Sequence, residues 1–265
     1  MPELKITFIG TGTSYGIPKI GCGCAVCESP DPRDNRLRSS LLLEFSGKTV
    51  LIDTSADLRQ QALRYRINNI DTILFTHAHA DHLHGIDEIR VYQKRDTKAM
   101  ECFASPDFCE ETAKRFDYVF FDHKPVGGGT PRIKLTPVDG KFDVFGLDFE
   151  TLPVIHGDKY TVGYKFANIA YIPDVKKIPP ETLKKLYGLD VLIIDALRHK
   201  QHTTHMTVEE AVELVKTVRP RKTYFTHIDH ELSHAAESEK LKDVDPPVFM
   251  AYDGLILNSQ LIMRS

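Results

Sequence analysis

Thr76-His77-Ala78-His79-Ala80-Asp81-His82 puts three histidines and one carboxylate within six residues. Histidine and carboxylate are the usual ligands of zinc and neighbouring metals. The cluster follows the apolar run Ile73-Leu74-Phe75, which predicts a buried strand. Alternate residues of an extended segment point the same way, so His77 and His79 are expected to face one point. Asp81 and His82 come beyond the strand and can turn toward a second point nearby. The spacing predicts two metal ions close together, and ions that share a water provide hydroxide at neutral pH. His84 points off this motif and reads as a surface or packing histidine.

A second cluster is Cys22-Gly23-Cys24-Ala25-Val26-Cys27, in a loop over 20–30. Three thiols this close do not readily pair with one another, but they can supply three ligands of a tetrahedral zinc site. A fourth ligand must come from elsewhere. The chain has five cysteines, an odd number. That favours a reducing, cytoplasmic setting with thiolate ligands over a secreted disulfide scaffold. Cys102 and Cys109 read as packed thiols.

Further polar residues fall at or just past predicted strand ends: Asp53, Asp174, Asp195 and His227, with His156 on a turn over 154–158 and His205 ahead of a helix. Strand ends are where a rigid scaffold can fix a site. Asp53 has two compatible readings, as a brace for the metal-binding loop and as part of the N-cap region of a helix over 56–64. The loop Gly10-Thr11-Gly12-Thr13-Ser14-Tyr15-Gly16 lacks the Lys-Ser/Thr of a phosphate loop, and its last glycine is one place late for a dinucleotide fingerprint. It is expected to be a tight turn bordering the site, whose glycines let backbone N–H groups approach a ligand. The span 116–130 reads as a lid, a dimer contact or an ordinary connection. Asp195 is a candidate orienter of the His205 region, and Thr226 reads as structural.

The elements that would carry these residues begin with strands and end with strands, with helices between them. Antiparallel hairpins first and last, and no repeat, low-complexity tract or linker, argue one α/β domain over 1–265. The chain of 265 residues has a net charge of −3, with acids and bases mixed. No run of 18 apolar residues predicts a membrane span. The first residues lack the pattern of a signal peptide. The absence of a basic block argues against a long polynucleotide as partner.

In this order, His77-x-His79-x-Asp81-His82, then His156, Asp174 and His227, the chain resembles the metallo-β-lactamase superfamily of dinuclear metallohydrolases. The resemblance implies a four-layer αββα sandwich with the site at one edge of two sheets. It implies His77, His79 and His156 on one metal, Asp81, His82 and His227 on the other, and Asp174 bridging both. An Asp at the bridge resembles the phosphodiesterase and hydrolase branches.

A closer resemblance is to the phosphoribosyl cyclic phosphodiesterases of the carbon–phosphorus lyase pathway. It rests on Gly10-Thr11-Gly12-Thr13-Ser14 leading into Cys22, Cys24 and Cys27. In that family the three cysteines and a late histidine form a structural zinc site. His230 matches that histidine, with His234 as competitor. The family's catalytic histidine matches His205, and His199 or His202 stands close enough to share its role. The resemblance thus implies a catalytic pair of His205 and Asp81, two zinc or manganese ions, one structural zinc and a small phosphodiester substrate. It leaves room for a homodimer. Rival activities are transfer-RNA 3′ processing and thioester or lactone hydrolysis on the same fold. A metal-binding partner without turnover is the non-enzymatic rival.

Overall fold

The computed structural model describes residues 3–93, 99–120 and 129–260. Its strands are, in chain order, β1 (Glu3–Gly10), β2 (Ser40–Phe45), β3 (Lys48–Ile52), β4 (Thr72–Leu74), β5 (Met100–Ala104), β6 (Ile133–Pro137) and β7 (Lys141–Val144). They continue with β8 (Leu147–His156), β9 (Lys159–Phe166), β10 (Ile169–Ile172), β11 (Val191–Asp195), β12 (Lys222–Thr226), β13 (Val248–Met250) and β14 (Ile256–Gln260). The α-helices are α1 (Leu58–Tyr65), α2 (Ala80–Leu83), α3 (Pro106–Arg115), α4 (Asp117–Phe120), α5 (Pro180–Lys185), α6 (Val208–Val218) and α7 (His234–Leu241).

One sheet has the order β14-β1-β2-β3-β4-β5-β6, and the other β13-β12-β11-β10-β9-β8-β7. Period-two alternation explains why both are buried on two faces. Ile193 packs between the sheets, whereas its neighbours Leu192 and Ile194 pack on the outer face with α6. Likewise Leu74 faces inward, and Ile73 faces outward with Leu58 of α1 and Phe108 of α3. Three apolar layers therefore separate four structural layers, the αββα sandwich. None of the described helices is long and apolar enough to cross a membrane.

Local sequence fixes the frame. Ser46 and Gly47 both have positive φ, which matches a two-residue hairpin between β2 and β3. α6 starts on a capping box made by Thr207 and Glu210. β3 to β6 run parallel, as do β10 to β13. The C-terminal ends of β3, β4, β10, β11 and β12 run directly into Asp53, Thr76 to His82, Asp174, Asp195 and His227. Both sheets thus deliver polar residues to one edge, the usual place for a site in such sheets. The sheets are tied there by Tyr164 Oη donating to the Phe75 carbonyl (2.6 Å) and Val162 N–H donating to the Thr76 carbonyl (3.2 Å).

One expectation needs correction, and one lies mostly outside the described residues. His156 lies on β8 itself, paired with Lys159, because the hairpin turn falls at Gly157 and Asp158. After the one-turn α2 the chain forms a 3₁₀ segment (Ile86–Tyr92). The span read as lid, contact or connection lies mostly outside the described residues.

Candidate metal centre

His77, His79, His156 and Asp174 bring one ligand atom each within 4.8 Å of one another. Asp81, His82, Asp174 and His227 do the same. The two groups share Asp174, so the seven residues read from the sequence form one continuous centre. All are buried except His79, whose side chain faces the opening.

Hydrogen bonds aim most of these imidazoles inward. His82 Nδ1 is 2.8 Å from Asp53 Oδ2, leaving Nε2 at 3.1 Å from Asp174 and 3.3 Å from Asp81. His156 Nδ1–H donates to the Thr204 carbonyl (2.8 Å), leaving Nε2 at 3.7 Å from Asp174. His227 Nε2 sits 3.4 Å from Asp81 and 3.5 Å from Asp174. Asp53 is itself pinned by the N–H and hydroxyl of Thr76, both at 2.8 Å. It braces the motif, and it does not cap α1, whose N-cap position is Asp57. Asp53 and His227 both have positive φ (66° and 57°). Strained backbone of this kind is held by its surroundings and gathers at functional sites.

The electrostatics call for a cation. Burial holds His77 below the usual imidazole range and His156 down at about 4, so both stay neutral. Burial also pushes His82 down, but Asp174, Asp81 and Asp53 outweigh it and raise it well above normal. His82 Nε2 and Asp174 Oδ1 are buried and close, yet neither has a hydrogen-bond partner. Orphaned buried polar atoms are costly, and Asp81 and Asp174 are two carboxylates buried in one centre. A divalent ion satisfies both demands. The residues therefore fit the metal ions that the fold family implies.

His205 lies against this centre. Its Nδ1–H donates to Asp195 (2.8 Å), and its Nε2 stands 3.9 Å from Asp174. Burial opposes its charging, but Asp195 and Asp174 raise it to about 9. Asp195 also accepts from the Val175 N–H (3.2 Å), which makes it the orienter expected from the sequence. His205 stacks on His227 with centroids 4.6 Å apart. His202 stands beside it, at 5.1 Å between ring centroids. His199 does not, because it bridges Glu209 and Glu237 on α6 and α7. His84 is exposed and packs edge-on to Phe116.

The cysteine cluster closes on His230. Cys22 and Cys24 Sγ lie 3.5 and 3.4 Å from its Nδ1. A tetrahedral zinc with ordinary Zn–S and Zn–N bonds has S···N edges of about 3.5 Å, so the set fits zinc. The His230 contact lowers the Cys24 thiol to about 6. His234 is elsewhere: its N–H donates to Asp34 (2.6 Å) and its Nδ1 faces the buried Arg36 (3.2 Å). One strand end feeds both clusters, since Ile228 N–H donates to Thr11 and Thr13 N–H donates to Ile228.

The glycine loop borders the centre as expected, with Thr13, Ser14 and Tyr15 lining its cavity, but its glycines do not offer their N–H groups. Gly12 N–H donates to Leu37 and Gly16 N–H to Thr13, so neither is available to a ligand. A Cβ on Gly10 would lie 1.9 Å from the Arg38 carbonyl, so this glycine permits close chain packing. Buried Arg36, which donates to Thr11 Oγ1 (2.8 Å) and the Ala251 carbonyl (2.5 Å), locks that loop. Sequence reasoning missed it, because a charged loop residue carries no mark of burial.

Comparison with known proteins gives four results. Residues 48–228 match the family described as Beta-lactamase superfamily domain. A solved structure described as a new diphosphatase from the PhnP family superposes with a TM-score of 0.90 at 38% identity, covering 98% of this chain and 100% of that one. An octanoyltransferase of Porphyromonas gingivalis is 36% identical over 95% of this chain, which spans only 51% of that relative's length. A ribonuclease Z of Methanopyrus kandleri is 23% identical, over 96% of this chain and 98% of that protein.

Proposed function

The chain belongs to the β-lactamase superfamily and to the PhnP family within it, and on that premise we propose that it is a metal-dependent phosphodiesterase acting on a small phosphodiester, cyclic ribose phosphates included. The observation that carries this is the sharing of Asp174 by two four-residue groups with the His205–Asp195 pair beside them. His77, His79 and His156 would hold one ion, Asp81, His82 and His227 the other, and Asp174 both. Zinc or manganese suits this set, and Cys22, Cys24, Cys27 and His230 would hold a third, structural zinc. When bound, the ion pair supplies Lewis acidity and activates water for attack on phosphorus.

The chain's own residues do the rest. Asp53 and Thr76 orient His82. Asp195 takes the Nδ1–H of His205, so Nε2 is the nitrogen that hands a proton to the departing oxygen. Apolar layers beneath the edge keep water from the back of the centre.

The test is turnover of bis(p-nitrophenyl) phosphate and ribose cyclic phosphates by zinc- or manganese-loaded protein. No turnover with any metal would overturn the proposal. A second reading, carbonyl attack on a thioester, draws on the octanoyltransferase likeness and is tested by thioesters in the same panel. The ribonuclease Z likeness supports a third, which the net charge of −3 opposes. A salt-sensitive gel shift with transfer RNA would revive it.

A further inference from the structure

The centre opens into two cavities that share His79 and His156. The wider, about 450 Å³, is lined by His205, His202, Arg198, Tyr15 and Lys19. The narrower, about 290 Å³, is lined by Phe108, Tyr160, Lys159, Asp107 and Glu111, and not by His205. A linear diester has two separate arms, and two cavities meeting at the metal ligands offer one to each. Only an arm in the wider cavity leaves within reach of the His205 proton.

The two cavities differ in charge. In the narrower one Lys159 stands 3.7 Å from Glu111, and Asp107 adds a further negative charge. In the wider one Arg198 is tied to Glu231 (3.0 Å), with Asp229 nearby. Lys19 has no carboxylate partner among the described residues. Its ammonium lies 4.6 Å from the centroid of the Tyr15 ring, which is 58% exposed. An ammonium held over an exposed aromatic face, beside a reaction centre, suits a ring that carries an anionic group.

We infer that Tyr15 and Lys19 hold the departing arm of the substrate, a ring-bearing group with its own negative charge, and that the retained arm in the narrower cavity is uncharged. This rests on the phosphodiesterase reading. In the reaction, the water oxygen bonds to phosphorus and the P–O bond to the Lys19-side arm breaks. His205 Nε2 gives its proton to the arm's oxygen, and the proton shed by water restores it, so diester and water yield monoester and alcohol.

Three matched diesters test it with metal-loaded protein: phenyl 4-nitrophenyl phosphate, phenyl 3-carboxy-4-nitrophenyl phosphate, and 3-carboxyphenyl 4-nitrophenyl phosphate. The second should show the highest kcat/KM and the third the lowest. Lys19→Ala should lower kcat/KM on the second about tenfold, the size of one charge-assisted contact, and on the first by less than about twofold. Lys19→Gln should do the same, with unchanged metal content and melting temperature. Tyr15→Ala should weaken both aryl departing arms, and Tyr15→Phe should restore them. Equal losses on the first and second diesters, or a preference for the third, would overturn the assignment while leaving the phosphodiesterase reading intact. Absence of turnover with all three would overturn both.

Discussion

The two metal-ready clusters are built on opposite plans. The histidine–aspartate centre is largely buried, sits at strand ends, and has His82 fixed by Asp53 and His156 by the Thr204 carbonyl. The Cys22–Cys24–Cys27–His230 cluster lies on an irregular loop, is only half buried, and is braced chiefly by backbone, as in the Lys19 N–H donated to Cys27 (3.3 Å). The first arrangement leaves orphaned, charged atoms that demand ions. In the second, burial pushes the Cys27 thiol up to about 11, so a zinc held there would have to displace its proton. Under the proposed function, the contrast sets a cluster that would serve the reaction against one that would hold a loop in place.

Substitutions can break or sharpen that contrast. The largest effect is expected from Asp174→Ala, which should strip both ions and lower kcat by at least about 10³-fold, several kcal/mol of lost stabilisation. Metal analysis should still find the cysteine-site zinc. His205→Ala should lower kcat by roughly 10²- to 10⁴-fold with both ions retained. If it empties a metal site instead, His205 is a ligand and not a proton donor. Asp53→Ala should weaken metal binding at the His82 side by about 10- to 100-fold, read by competition with a chelating dye. Cys24→Ser should lose one zinc per chain and lower the melting temperature by roughly 4 °C for a loss on the order of 2 kcal/mol, with the folded fraction still active. Unchanged zinc content in Cys24→Ser would dissolve the contrast, because the cysteines would then hold nothing.

Much of this was legible in the sequence for a local reason. Ligands two to five residues apart, as in His77 to His82, announce themselves, and the strand runs pointed to an α/β domain, while the two-sheet sandwich came from resemblance. The joining of His156, Asp174 and His227 to that motif came from resemblance, since nothing in their spacing brings them together. α7 was invisible because its buried positions are His234, Glu237 and Leu241, with no apolar stripe to read. β7 was missed because Lys141–Val144 is short and half exposed. Arg36, Asp253 and Thr11 form a buried polar knot whose partners are about 240 positions apart at the extreme, from Thr11 to Asp253. Lys19 and Tyr15 looked like loop residues, and only the folded mouth gives them a neighbour in His205.

The strand end at His227 to His230 serves both clusters, and this has a consequence for the protein's birth on the ribosome. The first thiols and imidazoles, through His82, emerge well before their partners. Residues 83–230 must be added before either cluster can close. At about 5–20 residues per second, the nascent chain spends on the order of 10 s with half-made chelators facing the cell. With metal at both clusters as proposed, timing of metal supply, and protection of those thiols in the meantime, would be part of what this topology asks of its host.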